Sequence, residues 1–403
     1  MDWRENLSKI SAVARRQNGV LMEKQPRLTA LCFSDIHNCF TMLEPPYLVR
    51  QSVTLAADVY KKEGIKGDIV LVGGDTQSDY PHWNQSGWLP YPYFLGAKKA
   101  TDDVLASLAE GGRVAYVAGN HDYAQGELAT DGPGKNGSYN AGDYYFTGPM
   151  KDTFGTFAEN DCLIRTSVHT GEKYLLAYHT VVNGVDIFGM SPDPDEIFSS
   201  QGFGITDEIL NFMKKRLDEV DPEGIKPILV VCHYQIATRW DGEPELYGDY
   251  ADAIFPVLRK HKNLLYLYGH VHSLGFMCRE DTSEMMLHFR QDGTLQPTSL
   301  HMASSREAFE DDSERSFGTI LMGQFRIDYE KDLFEDDGQT GRGGFDKEMK
   351  FVTTGTPKAS QGLIVRVYED RMELEMRNFG TYPGFETEHK LRPYTIWFAP
   401  KAD

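Results

Sequence analysis

The most regular pattern along the chain is a short apolar run that stops at a polar residue of metal-ligand type. It occurs five times, over Leu28–Asp35, Asp68–Asp75, Arg113–Asn120, Pro227–His233 and Asn263–His270. Each run has the length of a strand and is nearly continuous in aliphatic and aromatic residues, which predicts strands covered on both faces. Helical segments fall between them. Tyr47–Lys62 is amphipathic, follows Pro45-Pro46 and stops before Gly64. Ala97–Glu110 stops at Gly111-Gly112, Thr206–Val220 opens on a capping Thr206 and stops before Pro222, and Tyr250–Lys260 is the fourth. Strands alternating with helices predict an α/β core.

Three regions break this rhythm. Residues 80–94 are crowded with Trp83, Trp88, Tyr91, Tyr93 and Phe94. Residues 123–161 are rich in Gly, Asn and Asp and read as a lid insertion, since long loops within compact domains are commonly functional. Residues 276–403 read as β-rich, with strands expected at Glu284–Phe289, Thr298–Met302 and Thr319–Asp328. A hairpin of Leu363–Val367 with Arg371–Met376 follows. The acidic, Gly-rich stretch Asp332–Gly344 reads as a surface loop.

A length of 403 residues allows two or three domains. The spread of the five runs argues instead for one large catalytic domain over residues 1–403, with its motif core at 28–275. There are 41 basic and 60 acidic residues, for a formal charge of −19. That balance disfavours duplex nucleic acid or an anionic membrane as partner, because both repel it. It is compatible with a small phosphorylated substrate held by local cations. No stretch approaches the ~20 apolar residues of a membrane span, and the N-terminal residues lack the apolar core of a secretory signal. Five irregularly placed cysteines argue against a disulfide framework and for a reducing, cytoplasmic setting.

The residues delivered at the strand ends are Asp35 with His37, Asp75, Asn120 with His121 and Asp122, His233, and His270 with His272. Carboxylate, amide oxygen and imidazole suit borderline to hard first-row metals such as Mn, Fe or Zn. One tetrahedral zinc takes about four ligands. The candidates exceed that, so a pair of metals is the economical reading, with a carboxylate such as Asp75 able to bridge them. This chemistry suits hydrolysis of a phosphate ester, with a metal-bound hydroxide attacking phosphorus and a histidine protonating the leaving alkoxide. His121 is the best-placed donor, because the adjacent Asp122 is able to fix its tautomer.

Asp35-Ile-His37, Gly74-Asp75, Gly119-Asn-His-Asp122, His233 and Gly269-His-Val-His272 resemble the five ordered motifs of calcineurin-like metallophosphoesterases. The resemblance covers residues 28 to 275 and implies a four-layer α/β/β/α sandwich of two mixed sheets flanked by helices. It also implies a binuclear metal-dependent phosphatase or phosphodiesterase. The first metal would take Asp35, His37, Asp75 and His272, and the second Asp75, Asn120, His233 and His270. His121 would be the proton donor and Asp122 its partner. The chain departs from the Ser/Thr protein phosphatases in the residues after Asp75 and in having Asp122 for Glu. It departs from the purple acid phosphatases in having Ser78 where they have a metal-binding Tyr. The remaining resemblance is to the broad cyclic-nucleotide phosphodiesterase-like and Mre11-like groups, and the acidic surface counts against the Mre11-like nuclease alternative.

Outside the motifs, Trp83 and Trp88 are candidates for stacking a base or ring, or else for packing a loop. Arg239 is a candidate phosphate clamp, or else an exposed residue. His82, His169, His179, His261, His288, His301 and His389 are assigned no role, although His179 also ends an apolar run. Two other functional classes stay open: a nuclease on short or single-stranded nucleic acid, and a metal-binding interaction protein without catalysis. A basic patch would mark the first; intact ligands and an intact His121-Asp122 pair argue against the second.

Overall fold

The computed structural model of the chain describes residues 25–36, 47–76, 101–119, 122, 161–166, 168, 173–193, 195–196, 204–236, 248–270, 286–290, 295–296, 315–323, 361–379 and 394–399. In chain order the strands are β1 (Leu28–Phe33), β2 (Ile69–Gly73), β3 (Val114–Val117), β4 (Cys162–Thr166), β5 (Lys173–Val182), β6 (Val185–Met190) and β7 (Ile228–Cys232). They continue with β8 (Leu264–Tyr268), β9 (Met286–Arg290), β10 (Leu295–Gln296), β11 (Arg315–Leu321), β12 (Gln361–Val367), β13 (Arg371–Asn378) and β14 (Tyr394–Trp397). The helices are α1 (Tyr47–Lys62), α2 (Asp207–Val220) and α3 (Gly248–Leu258), and residues 101–107 are also helical.

The strands form two mixed sheets. One is ordered β14-β13-β12-β1-β2-β3 and the other β10-β9-β11-β8-β7-β6-β5-β4. β1, β2 and β3 are parallel neighbours, as are β6, β7, β8 and β11. The four-layer α/β/β/α sandwich follows from the period-two alternation of side chains. In β7, Leu229 and Val231 join a core shared with β1, β2 and α1, while Ile228, Val230 and Cys232 join a core with α2 and α3. Every residue of β7 and β8 is buried. Water is absent from both faces, which is why these strands are apolar at every position rather than every second one.

The helices bury the stripe expected of a 3.6-residue period. On α1 it is Val53, Ala56, Ala57 and Tyr60; on α2 it is Ile209, Leu210, Met213 and Leu217. The Thr206 hydroxyl accepts the N–H of Ile209 at 3.4 Å, and Asp207 and Glu208 occupy the first turn of α2, where the helix dipole favours negative charge.

The structure departs from the sequence reading in three places. β4, β5 and β6 form one end of the larger sheet and were not anticipated as a unit. Their readable signal was Asn183-Gly184 between two apolar runs, since both residues have positive φ (50° and 77°), as a two-residue hairpin turn requires. The C-terminal β region divides between the sheets, β9–β11 joining β8 and β12–β14 joining β1. β11 begins at Arg315, four residues before its expected start. The expected strand Thr298–Met302, the lid 123–161 apart from Asp161, the aromatic segment 80–94 and the loop 332–344 lie outside the described residues.

Candidate metal centre

The C-terminal ends of β1 and β2 in one sheet and of β7 and β8 in the other meet at a common rim. The first sheet delivers Asp35 and Asp75, and the second delivers His233 and His270. Hydrogen bonds stitch the exits together. The N–H of Asp35 donates to Gly74 O at 3.1 Å, that of Gly269 to His233 O at 3.0 Å, and that of His270 to the Asp35 carboxylate at 3.1 Å. Gly73 O accepts both the Ser34 hydroxyl (3.1 Å) and His233 Nδ1 (2.8 Å).

Asp35, Asp75 and His270 have φ of 53°, 49° and 67°, in the left-handed region that costs a side-chain-bearing residue roughly 1–2 kcal/mol. Among the described residues, Asn183 in the hairpin turn is the other non-glycine residue with positive φ. The strain therefore collects where each strand stops. The neighbouring glycines let the exits approach. A Cβ on Gly269 would lie 2.6 Å from Asp35 Oδ2, and one on Gly119 would lie 2.2 Å from Asp75 Oδ1.

Asp75, His233 and His270 each present a ligand atom, and these atoms lie within 4.8 Å of one another. His233 Nε2 is 3.1 Å from Asp75 Oδ2 and 3.2 Å from His270 Nδ1. Two donors about 2.1 Å from one cation stand about 3.0–3.4 Å apart at octahedral or tetrahedral angles, so the spacing fits a shared ion. The proton count fits too. His233 Nδ1 faces a carbonyl, which only accepts, so Nδ1 carries the hydrogen and a neutral ring turns its Nε2 lone pair toward Asp75 and His270. The Asp75 carboxylate 3.1 Å away calls for a positive charge on or beside that nitrogen, either a second proton or a metal ion. The same demand appears in the acidity of His233. Burial pulls its pKa down, but the charge and hydrogen bond of Asp75, then the charge of Asp35 and the Gly73 carbonyl, outweigh this and push it up to about 9. The donor set and its geometry fit a divalent metal.

Asp122 is fully buried, and it grips the second and third exits. Its Oδ1 accepts the N–H of Thr76 at 3.0 Å and the Thr76 hydroxyl at 2.7 Å, and its Oδ2 accepts the N–H of Gly119 at 2.8 Å. Two contributors were not anticipated from sequence. Ser191, just past β6, accepts the N–H of Ala118 on its hydroxyl at 2.9 Å, and so docks the third exit onto the second sheet. The Tyr234 ring stands edge-on to the His270 ring at 5.0 Å. Their signal was position alone, within two residues of a strand end. His37, Asn120, His121, His272, Trp83, Trp88 and Arg239 lie outside the described residues.

His179 and His261 are buried away from this rim. His179 Nε2 donates to Asp186 at 2.8 Å, and its Nδ1 accepts from Arg216 at 3.1 Å, beneath α2. His261 meets Asp221 at 2.8 Å, before the start of β8.

The model of the calcineurin-like phosphoesterase family matches residues 28–274, more than half of the chain. The chain belongs to the calcineurin-like phosphoesterase family. Among solved structures, a dimetal phosphatase from Danio rerio aligns with a TM-score of 0.51 and 13% identity, covering 93% of this chain and all of its own. That likeness shows the phosphoesterase fold. GAP50, described as the anchor in the inner membrane complex of Plasmodium, aligns at a TM-score of 0.45 and 12% identity over 93% of this chain and 90% of its own. No curated protein sequence matches the chain. No helix among the described residues is long and apolar enough to cross a membrane.

Proposed function

We propose that the chain is a binuclear metal-dependent phosphoesterase that hydrolyses a small phosphomonoester or phosphodiester. The observation that carries this reading is the convergence of Asp75, His233 and His270 within 4.8 Å at a rim built from four strand ends. Asp75, His233 and His270, with Asn120, would hold one metal; Asp35, His37, Asp75 and His272 would hold the other. When bound, the metals would neutralise phosphate oxygens and lower the pKa of the attacking water.

The chain's own residues supply the rest. Asp35 and Asp75 bring negative charge that favours cations over a bare anionic substrate, so phosphate binding depends on the metals. The Gly73 carbonyl keeps the proton of His233 on Nδ1 and its lone pair inward, a hydrogen bond that raises ligand basicity. His121 is assigned the proton donor to the leaving alkoxide, on its place in Gly119-Asn-His-Asp122. Trp83 and Trp88, in the segment that follows Asp75, are assigned to the substrate's non-phosphate part, and Arg239 to its phosphate. The surplus of 60 acidic over 41 basic residues supports a small substrate over a nucleic-acid duplex, and the five irregularly placed cysteines support a cytoplasmic setting.

The test is a substrate panel with added manganese: an aryl phosphate, an aryl phosphodiester, cyclic nucleotides and nucleoside monophosphates. Turnover of at least one is expected, abolished in Asp75→Ala. Full activity in that variant would overturn the assignment. Manganese binding without turnover of any ester would favour a non-catalytic metal protein.

A further inference from the structure

Asp75 must hold an unfavourable backbone conformation, and the structure fastens it on both sides. Before it, Gly74 O accepts the N–H of Asp35 at 3.1 Å. After it, both polar groups of Thr76 go to one oxygen of Asp122, the N–H at 3.0 Å and the hydroxyl at 2.7 Å. The other oxygen takes the N–H of Gly119 at 2.8 Å. Gly119 is the residue whose missing Cβ makes room for the Asp75 carboxylate; a Cβ there would lie 2.2 Å from Oδ1 and 2.6 Å from the Asp75 nitrogen. All three side chains are buried, with Asp75 and Asp122 fully inaccessible and Thr76 2% exposed. A buried carboxylate needs donors, and this one takes three from the two exits that flank Asp75.

We propose that Asp122 and Thr76 form a latch that sets the metal affinity of the centre, with Thr76 as a positioning residue. By tying the second exit to the third, the latch keeps Asp75 in its left-handed conformation with its carboxylate toward His233 and His270. It also fixes the distance between Asp75 and the backbone that leads into Asn120. The inference rests on the metal reading above and adds two things to it. Asp122 acts on the backbone of both exits, whatever it does for His121, and the hydroxyl of Thr76 is a necessary part of the site through its bond to Asp122.

The full chain, freed of metal with a chelator, is titrated with manganese by calorimetry for the parent and for Thr76→Val, Thr76→Ser and Asp122→Asn. Valine keeps the shape of threonine and removes the hydroxyl; serine restores it. Loss of a group that orients a ligand typically weakens metal binding about 10–100-fold. Thr76→Val is expected to fall in that range and to melt somewhat earlier without metal, since the buried Asp122 loses a donor, while Thr76→Ser returns to within about threefold of the parent in affinity and close to its metal-free melting temperature. Asp122→Asn is expected to weaken binding at least as much as Thr76→Val. At saturating manganese, Thr76→Val should lower kcat while leaving KM for the best panel substrate within about twofold. Equal manganese affinity in parent and Thr76→Val, or a Thr76→Ser variant as weak as Thr76→Val, overturns the latch alone. A parent chain that takes up no manganese overturns the metal reading and the latch with it.

Discussion

β7 and β8 carry a histidine–aspartate contact at each end. Where they exit, His233 Nε2 stands 3.1 Å from Asp75 and 3.2 Å from the His270 ring. Where they enter, about 15–20 Å of strand away, His261 Nδ1 stands 2.8 Å from Asp221. The two contacts share residue types and burial, yet what surrounds them differs. At the entry, Asp221 Oδ1 accepts the N–H groups of Ile225 and Lys226 at 2.9 and 3.0 Å, and Oδ2 takes His261. Burial works against the charged carboxyl there, but the His261 hydrogen bond and those two N–H groups hold its pKa below the usual range. At the exit, a carboxylate and two ring nitrogens face one another. One pair is fastened by backbone donors; the other converges with a second histidine in a set that fits a shared cation. A histidine beside an aspartate therefore says little about function until the donors are counted.

That contrast can be broken from either side. The largest expected effect is at the exit. His270→Ala should lower turnover of the best panel substrate by about a thousandfold, the scale on which loss of a preorganised charge-stabilising group is felt, with little change in metal-free stability. A wild-type manganese isotherm in that variant would refute the distinction. Next is the entry. Asp221→Ala removes one partner of a buried pair and should cost about 3 kcal/mol, read as an earlier urea midpoint. Manganese affinity of the folded protein should be unchanged. A large loss of metal binding there would mean that the two ends are coupled.

The smallest effect concerns the exposed fringe of the entry. Hydrogen bonds from Lys214 and Lys260 pull the Asp218 carboxyl down to about 2, against a small burial cost. A depressed carboxyl contributes stability above its unfolded pKa of about 3.9 and loses it as pH falls through the folded value. Acid titration should show parent and Asp218→Asn converging near pH 2 and separating above about pH 4 by less than about 1 kcal/mol. An equal gap at both pH values would show that the difference is not electrostatic.

The exit end was the more legible in sequence. Each of its strands is a nearly continuous apolar run that stops at a ligand-type residue, so the placing of Asp35, Asp75, His233 and His270 at strand exits was readable without coordinates. The capping Thr206 and the bounds of α1 were readable for the same reason: they depend on neighbours a few positions away. The latch was not readable, because Asp122 and Thr76 meet across 46 positions and look like any acid and any hydroxyl. His261 and His179 could not be told from ligands by type, only by what already satisfies them. The division of the C-terminal strands between sheets was hidden because strand pairing is decided by long-range contacts that no local pattern encodes.

β1, which carries Asp35, pairs on one side with β2 and on the other with β12, so that Leu28 lies opposite Val367. β8, which carries His270, likewise has β11 as a neighbour. During synthesis at about 5–20 residues per second, the first strand waits on the order of tens of seconds at the ribosome for its antiparallel partner. A fragment ending at residue 275 would contain every motif and still present two bare, apolar strand edges, the kind that other chains can add to. The stretch that carries the chemistry is thus shorter than the stretch that must be translated before it can fold.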